Sequence, residues 1–111
     1  MEFCQLALTI AKGTENRYAE GTVYNSFGVV NHRLGDFEKA IECFQLALRM
    51  AEETGNKDSQ GKTYINLGSI YQSFHDFQKA IKVYWLGLRI AKETGNKHLE
   101  QVVRSALAHA F

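Results

Sequence analysis

The sequence repeats itself at an interval of forty residues. When the chain is shifted by forty positions, it aligns with itself without a gap. The segment ETGNK occurs at residues 53–57 and again at 93–97, and DFEKAI at 36–41 becomes DFQKAI at 76–81. A fixed period of this length is typical of repeat proteins, in which each unit is a piece of supersecondary structure that packs against its neighbours.

Each repeat contains two predicted helices. Apolar residues recur at spacings of three and four from about Asp36 to Thr54, which predicts an amphipathic helix there. A second stripe predicts the other helix from about Asp58 to Ser73. Because neither stripe is wide enough to be buried alone, we expect helix pairs to stack. The sequence therefore predicts an all-α fold.

Residues typical of turns mark the predicted helix ends. Asp36 is a plausible N-cap, and Gly35 suits the end of the preceding helix. Gly55 and Gly95 suit the left-handed position that follows a helix, and His75 stands where the other repeat has Gly35. The residues that can cap the following helices are Asn56 and Asn96.

Gly28 and Gly68 lie inside predicted helices, where each costs about 1 kcal/mol relative to alanine. Gly28 is followed twelve residues later by Ala40, and Gly68 by Ala80. Small residues in this arrangement predict a close approach of two helix backbones. A larger side chain would overpack such a contact.

The repeat pattern divides the chain into four segments within one domain, residues 1–111. They are a half repeat (1–14), two full repeats (17–54 and 57–94) and a second half repeat (97–111). With A and B as the first and second helix of a repeat, the order of the six predicted helices is B-A-B-A-B-A. Since the end helices lack their partners, we expect the chain to be part of a longer array. Alternatively, it oligomerises through these terminal helices.

Composition and charge argue against several classes of partner. Thirteen Lys and Arg against twelve Asp and Glu leave a formal net charge of +1, so no nucleic-acid partner is expected. No run of eighteen apolar residues occurs, so we predict no membrane insertion. Two cysteines are too few for a disulfide framework, and we predict a reducing, cytoplasmic environment.

The residues that could carry chemistry form no catalytic or metal-binding pattern. The four histidines show neither the i,i+4 pairing nor the cysteine spacing of a metal site. Cys4 and Cys43 align with apolar neighbours, which favours buried free thiols. No nucleophile–base–orienter set and no phosphate-binding loop can be recognised. We therefore predict no cofactor and no enzymatic activity.

The repeats resemble the tetratricopeptide repeat family. The matching residues of the second repeat are Tyr64, Leu67, Gly68, Tyr71, Ala80 and Tyr84. Those of the first are Tyr24, Phe27, Gly28, Ala40, Phe44 and Ala47, with Asn31 in place of the usual tyrosine. The resemblance implies a right-handed α-solenoid of antiparallel helix pairs. The forty-residue unit, with its NLG, GD and KAI segments, is similar to the repeats of Pins-type G-protein-signalling modulators and of large metazoan multi-repeat proteins.

The same resemblance implies a function and a site. In tetratricopeptide proteins the inner face of the first helices lines a concave groove that holds a peptide, so we predict a module that binds a protein or peptide ligand. The aligned candidates are Thr22, Asn25, Ser26, Val29, His32, Arg33, Lys62, Ile65, Asn66, Ser69, Gln72, Ser73 and His109, with Val102, Ser105 and Ala106 on the last helix. Lys62, Arg33 and Arg104 make the groove mildly basic.

One groove position and one outer position stand out. Asn66 lies where Pins-type repeats carry an asparagine that binds the ligand backbone, but its equivalents here are Ser26 and Ala106. The two-lysine clamp of chaperone-binding members is lacking, so an acidic C-terminal motif is disfavoured as ligand. On the second helices, Trp85 has Gln45 as its counterpart and is a candidate surface contact.

Overall fold

The computed structural model describes residues 17–110, and all regular structure in this range is α-helical. Five helices follow one another: α1 (Arg17–Arg33), α2 (Phe37–Thr54), α3 (Lys57–Ser73), α4 (Phe77–Thr94) and α5 (Lys97–Ala110). The bounds of α3 and α4 repeat those of α1 and α2 forty residues later. The predicted first half repeat, residues 1–14, lies outside the described residues, and the other five predicted helices are present. The all-α class is confirmed.

The chain divides into two compact units between Asn56 and Lys57. In the first unit α1 packs against α2, and in the second α3 packs against α4 while α5 contacts both. Cross-helix neighbours show that α1 and α2 are antiparallel. Gly21, near the start of α1, meets Met50 near the end of α2, whereas Gly28 meets Phe44 at an earlier position of α2.

Left-handed residues end the helices in the way the turn residues predict. Gly55 has φ 68° and Gly95 has φ 69°, a conformation that costs glycine nothing sterically. The Gly55 N–H donates to the Glu52 carbonyl at 3.2 Å, and the next N–H, of Asn56, donates to the Ala51 carbonyl at 2.9 Å. This is the Schellman arrangement, which satisfies carbonyl groups that the helix end leaves without partners.

The turn inside each helix pair uses the same arrangement with two different residues. Gly35 has φ 83° and His75 has φ 60°, so the histidine adopts the left-handed conformation predicted for it. Asp36 accepts a hydrogen bond from the Lys39 N–H at 3.3 Å and caps α2. Asp76 repeats this cap on α4.

The cap predicted for α5 is also present, since Asn96 Oδ1 accepts from the Leu99 N–H at 3.0 Å. It lies directly after Gly95, so one residue ends α4 and the next begins α5. Two consecutive residues of the repeated ETGNK segment therefore serve two helices, and the turn needs no further length.

The helix-interior glycines lie at helix contacts, but the approaching group differs from the one predicted. A Cβ on Gly28 would lie 2.6 Å from Cε1 of Phe44, and the three nearest atoms all belong to that ring rather than to Ala40. At Gly68 the three nearest atoms belong to the Tyr84 ring. The close approach is therefore between a helix backbone and an aromatic ring, and it requires that no side chain projects there.

These aromatic rings form the centre of each unit. Phe44 and Tyr84 are 0% and 1% exposed, and they are among the largest fully buried side chains of the described residues. In the second unit Val103 of α5 is buried against the same cluster. Burial of a large apolar side chain contributes about 1.5–3 kcal/mol, so these contacts dominate the packing of each pair.

Candidate functional site

An open cleft of about 520 Å³ lies between α3 and α5 in the second unit. Six of the predicted groove residues line it, and among them are Ser69 and Gln72 of α3 and His109 of α5. The lining residues that the aligned last helix supplies are Val102, Ser105 and Ala106, and the three that sequence reasoning did not place there are Tyr84, His98 and Gln101. The cleft therefore brings together polar side chains that are about one repeat apart in the sequence.

Tyr84 contacts the α3 wall of the cleft through its hydroxyl group. Its hydroxyl lies 2.5 Å from Gln72 Oε1 and donates to it, although the ring itself is almost fully buried. Burial raises the pKa of Tyr84, and a hydrogen bond with the Ser69 side chain acts in the opposite direction. Since the amide oxygen of Gln72 accepts from the phenol, the two amide N–H groups are the donors that this side chain contributes to the cleft.

His109 supplies the opposite kind of group on the α5 wall. Its Nδ1 lies 2.8 Å from the Ser105 carbonyl oxygen one turn earlier. A carbonyl can only accept, so Nδ1 carries the proton of the neutral ring and Nε2 is left as an acceptor. The cleft thus has an amide donor on one wall and an imidazole acceptor on the other. Together they match the C=O and N–H of a peptide unit.

Part of the remaining lining is apolar, and no lining residue carries a permanent charge. Val102 is 38% exposed and provides an apolar surface beside Ala106. Arg104, expected to make the groove basic, instead donates to Glu100 Oε1 at 2.9 Å and does not line the cleft. This hydrogen bond, opposed by burial and aided by nearby cations, lowers the pKa of Glu100.

The other candidates of α3 lie outside the cleft. Asn66 is half-buried and Lys62 is exposed. Ile65 is partly buried against the core that α4 and α5 share. Ser73 is exposed, and its hydroxyl donates to the Ser69 carbonyl at 3.0 Å. Asn66, the position singled out in the sequence, is therefore not among the residues that the cleft brings together.

The candidates of α1 are distributed along one helix of the first unit. Thr22, Ser26 and Arg33 are exposed, whereas Asn25, Val29 and His32 are half-buried. The His32 ring lies edge-on to Phe37 at 5.5 Å between centroids, and burial lowers its pKa. None of the six lines the cleft of the first unit.

The cleft of the first unit, about 510 Å³, lies near the turn between α1 and α2. It is lined by Phe27, Asn31, Leu34, Asp36, Lys39, Glu42 and Cys43. Asn31 is 3% exposed and its Nδ2 donates to the Phe27 carbonyl at 3.0 Å, with the Cys43 thiol at 3.9 Å. Cys43 is half-buried rather than fully buried. Cys4 lies outside the described residues.

One sequence signal could have located Tyr84 in the site. It occupies the position of Phe44, so the second repeat has a hydroxyl where the first has none. A hydroxyl added to a buried position needs a hydrogen-bond partner, and the helix facing it carries Gln72. His98 and Gln101 gave no such signal, because His98 aligns with the polar Asp58 and Gln101 aligns with Gly61.

The comparisons with known proteins agree with this fold. A family model of the tetratricopeptide repeat matches residues 2–53 and 20–93. The chain belongs to the tetratricopeptide repeat family, and its helices have the arrangement of that all-α class. No curated protein matches the chain. The resemblance to the Pins-type variant stays a prediction.

Tetratricopeptide repeats generally mediate protein–protein interactions, and the family is typically non-catalytic. Among residues 17–110 no group of three metal-ligating side chains is found. No helix of the described part of the chain is long and apolar enough to cross a membrane. The absence of enzymatic activity and the cytoplasmic location stay predictions.

Proposed function

We propose that the chain binds a peptide segment of a partner protein in the cleft between α3 and α5. The observation that carries the proposal is the convergence of Ser69, Gln72 and His109, three residues that the repeat pattern indicates, in one open cleft. The family's general role in protein–protein interaction supports the same conclusion.

The chemistry of the cleft favours an uncharged stretch of extended backbone. The Gln72 amide donates to a peptide carbonyl, and His109 Nε2 accepts from a peptide N–H. Val102 and Ala106 favour a small apolar side chain between these two contacts. Since each neutral hydrogen bond contributes about 0.5–1.5 kcal/mol, the cleft by itself binds weakly and gains affinity from neighbouring surfaces.

A selection from random peptides tests this proposal and requires no candidate partner. Random linear peptides displayed on phage are selected on the wild-type chain, and the enriched peptides are titrated by calorimetry. Ser105→Trp fills the cleft from an exposed position and should weaken binding at least about tenfold, which corresponds to 1.4 kcal/mol. Ala108→Trp is the matched control, because Ala108 is exposed on the same helix but does not line the cleft.

The two variants separate the outcomes clearly. Loss of binding with Ser105→Trp and retention with Ala108→Trp supports the cleft as the site. Equal binding by both variants, or no enriched peptide at all, contradicts it. Circular dichroism of both variants checks that the helices are intact.

The alternative prediction, assembly through terminal helices, has less support on α5. Leu99, Val103 and Leu107 are all buried in the core of the second unit. Val102 is an exposed large hydrophobic residue on this helix, and it lines the cleft. These three apolar side chains of the predicted terminal helix, Leu99, Val103 and Leu107, therefore already pack within the unit. The predicted N-terminal helix lies outside the described residues.

A further inference from the structure

The outer face of α4 carries an exposed tryptophan between cations. Trp85 is 53% exposed, and it is the one tryptophan of the chain. Lys82, one turn before it, and Arg89 and Lys92, one and two turns after it, are exposed on the same face. Arg89 is paired within the helix, with its Nε 3.3 Å from Glu93 Oε1. The face therefore combines a large aromatic surface with a positive charge.

The same face of α2 has a net charge of the opposite sign, because three glutamates outnumber Arg49, the equivalent of Arg89. Glu42 stands where α4 has Lys82, and Glu52 stands where it has Lys92. Glu38 adds a third carboxylate one turn before Glu42, and all three glutamates are exposed. The two helices have the same length and the same caps, so the reversal affects the surface without changing the backbone that presents it.

The net charge of the chain hides this separation. With thirteen basic and twelve acidic residues, the whole chain is nearly neutral. The opposite charges are nevertheless presented by equivalent helices of two different units. A second copy of the chain consequently carries the surface that complements α4.

We propose that the Trp85 face of α4 binds the glutamate face of α2 of a second copy of this chain. Lys82 and Lys92 pair with carboxylates, while Trp85 covers the middle of the partner helix around Gln45 and Arg49. Because the two faces lie on different helices, the contact is reciprocal in a two-fold dimer or continues from copy to copy. This surface does not line the α3–α5 cleft, so the inference is independent of the proposed peptide site.

The physical chemistry indicates a weak and salt-sensitive association. Exposed ion pairs contribute little individually, and their main effects are on the rate and the specificity of encounter. Tryptophan is enriched among residues that dominate binding energies, because its large ring is desolvated at little entropic cost. We therefore expect Trp85 to set the affinity and the charges to select the partner face.

Sedimentation equilibrium over a concentration series tests the contact on the full chain. Wild type should associate with concentration at about 50 mM salt and less at about 300 mM, where screening shortens the reach of exposed charges. Lys82→Glu combined with Lys92→Glu should weaken association at least about tenfold, as should Glu42→Lys combined with Glu52→Lys. Trp85→Ala should do the same at both salt concentrations.

Mixing the two charge-reversed proteins is the decisive measurement. Neither self-associates, but each carries a face that complements the other, so the mixture should recover association of wild-type strength. Lys62→Glu combined with Lys97→Glu is the matched control for the lysine reversal, because it makes the same charge change at two exposed lysines of α3 and α5. It should leave association unchanged.

Three results would overturn the inference: a monomeric wild type at every concentration, association unaffected by the reversals, or no recovery on mixing. Association through the terminal helices would appear as the second of these. Since all exchanged side chains are exposed, the variants should keep wild-type helicity, and recovery on mixing itself excludes unfolding as the cause of the loss.

Discussion

The pair α1–α2 and the pair α3–α4 share one backbone plan and differ in polar chemistry. Both have the same helix lengths, the same aspartate N-cap and a glycine under an aromatic ring. Only the second carries a hydroxyl on that ring, and that hydroxyl supports one wall of a cleft. The comparison shows that the repeated residues maintain packing, whereas residues that differ between the copies create the candidate site.

A second difference separates the buried polar groups of the two pairs. The first pair has Asn31 beside Cys43, where the second has Tyr71 and Val83. Tyr71 is half-buried and lies under Lys79, whose Nζ is 5.7 Å from the ring centroid. The Asn31 amide donates to the Phe27 carbonyl and lies near the Cys43 thiol. The two pairs therefore place different polar side chains, with different contacts, at the same repeat position.

The glycine–ring contact is the part of the shared plan most sensitive to substitution. The methyl group added by Gly68→Ala would overlap with atoms of the Tyr84 ring, and the one added by Gly28→Ala would overlap with atoms of the Phe44 ring. Overpacking costs up to about 3 kcal/mol, and the better helix propensity of alanine returns about 1 kcal/mol. We expect each variant to lower the free energy of unfolding by about 2 kcal/mol in urea denaturation.

Gly87→Ala is the matched control, because it is also a helix-interior glycine. A Cβ there would lie 3.5 Å from Tyr64 Cβ, which is ordinary contact. This variant should raise stability by up to about 1 kcal/mol through helix propensity alone. If all three alanines acted in the same direction, ring contact would not be the reason for the glycines at 28 and 68.

Tyr84→Phe removes the main polar difference between the two pairs. The substitution removes the hydroxyl that donates to Gln72, and the loss of this hydrogen bond should lower the free energy of unfolding by about 1 kcal/mol. A double-mutant cycle with Gln72→Ala measures the coupling, which should account for most of this value. Additive effects of the two substitutions would show that the hydrogen bond does not connect α3 to α4.

The exchange of left-handed residues is a smaller test of the same comparison. His75 has φ 60° where the other pair has Gly35. Replacing a side chain that is strained in the left-handed conformation should raise stability by about 1–2 kcal/mol. Glycine lowers stability by about 0.4–1 kcal/mol because it makes the unfolded state more flexible, and the substitution also removes the ring contact with Phe77. His75→Gly should therefore stabilise by about 0.5 kcal/mol in thermal unfolding, and Gly35→His should destabilise. Opposite signs would contradict this account of the turn.

Local features of this fold could be predicted from the sequence, whereas contacts between helices could be predicted only in part. The caps at Asp36 and Asn96 follow from side chains and backbone a few residues apart, so the repeat pattern is sufficient to find them. The ring over Gly28 comes from a residue sixteen positions later, and its rotamer depends on the packing of the whole pair.

The candidate site shows the same limit. Ser69 and His109 occupy equivalent positions, forty residues apart, on a helix face that the periodicity identifies. Tyr84 occupies a core position, and the recurrence of an aromatic residue there predicts packing alone. Asn66 follows from family resemblance, which transfers a position without its surroundings. Here those surroundings place it half-buried and outside the cleft.

The smallest expected effect concerns His32, which aligns with the non-titrating Gln72. Burial lowers the pKa of His32 below its ordinary 6.5, so the unfolded state binds more protons between that lowered pKa and 6.5. The stability that His32 contributes is thus present above 6.5 and lost as the pH falls. His32→Gln should flatten this part of the stability profile, measured by urea unfolding from about pH 7 to about pH 5.

Glu100, whose pKa Arg104 lowers, loses its contribution to stability only below its ordinary pKa of 4.5 and should leave this pH window unchanged. An unchanged slope in the His32→Gln protein would show that another group controls the first pair's response to acid.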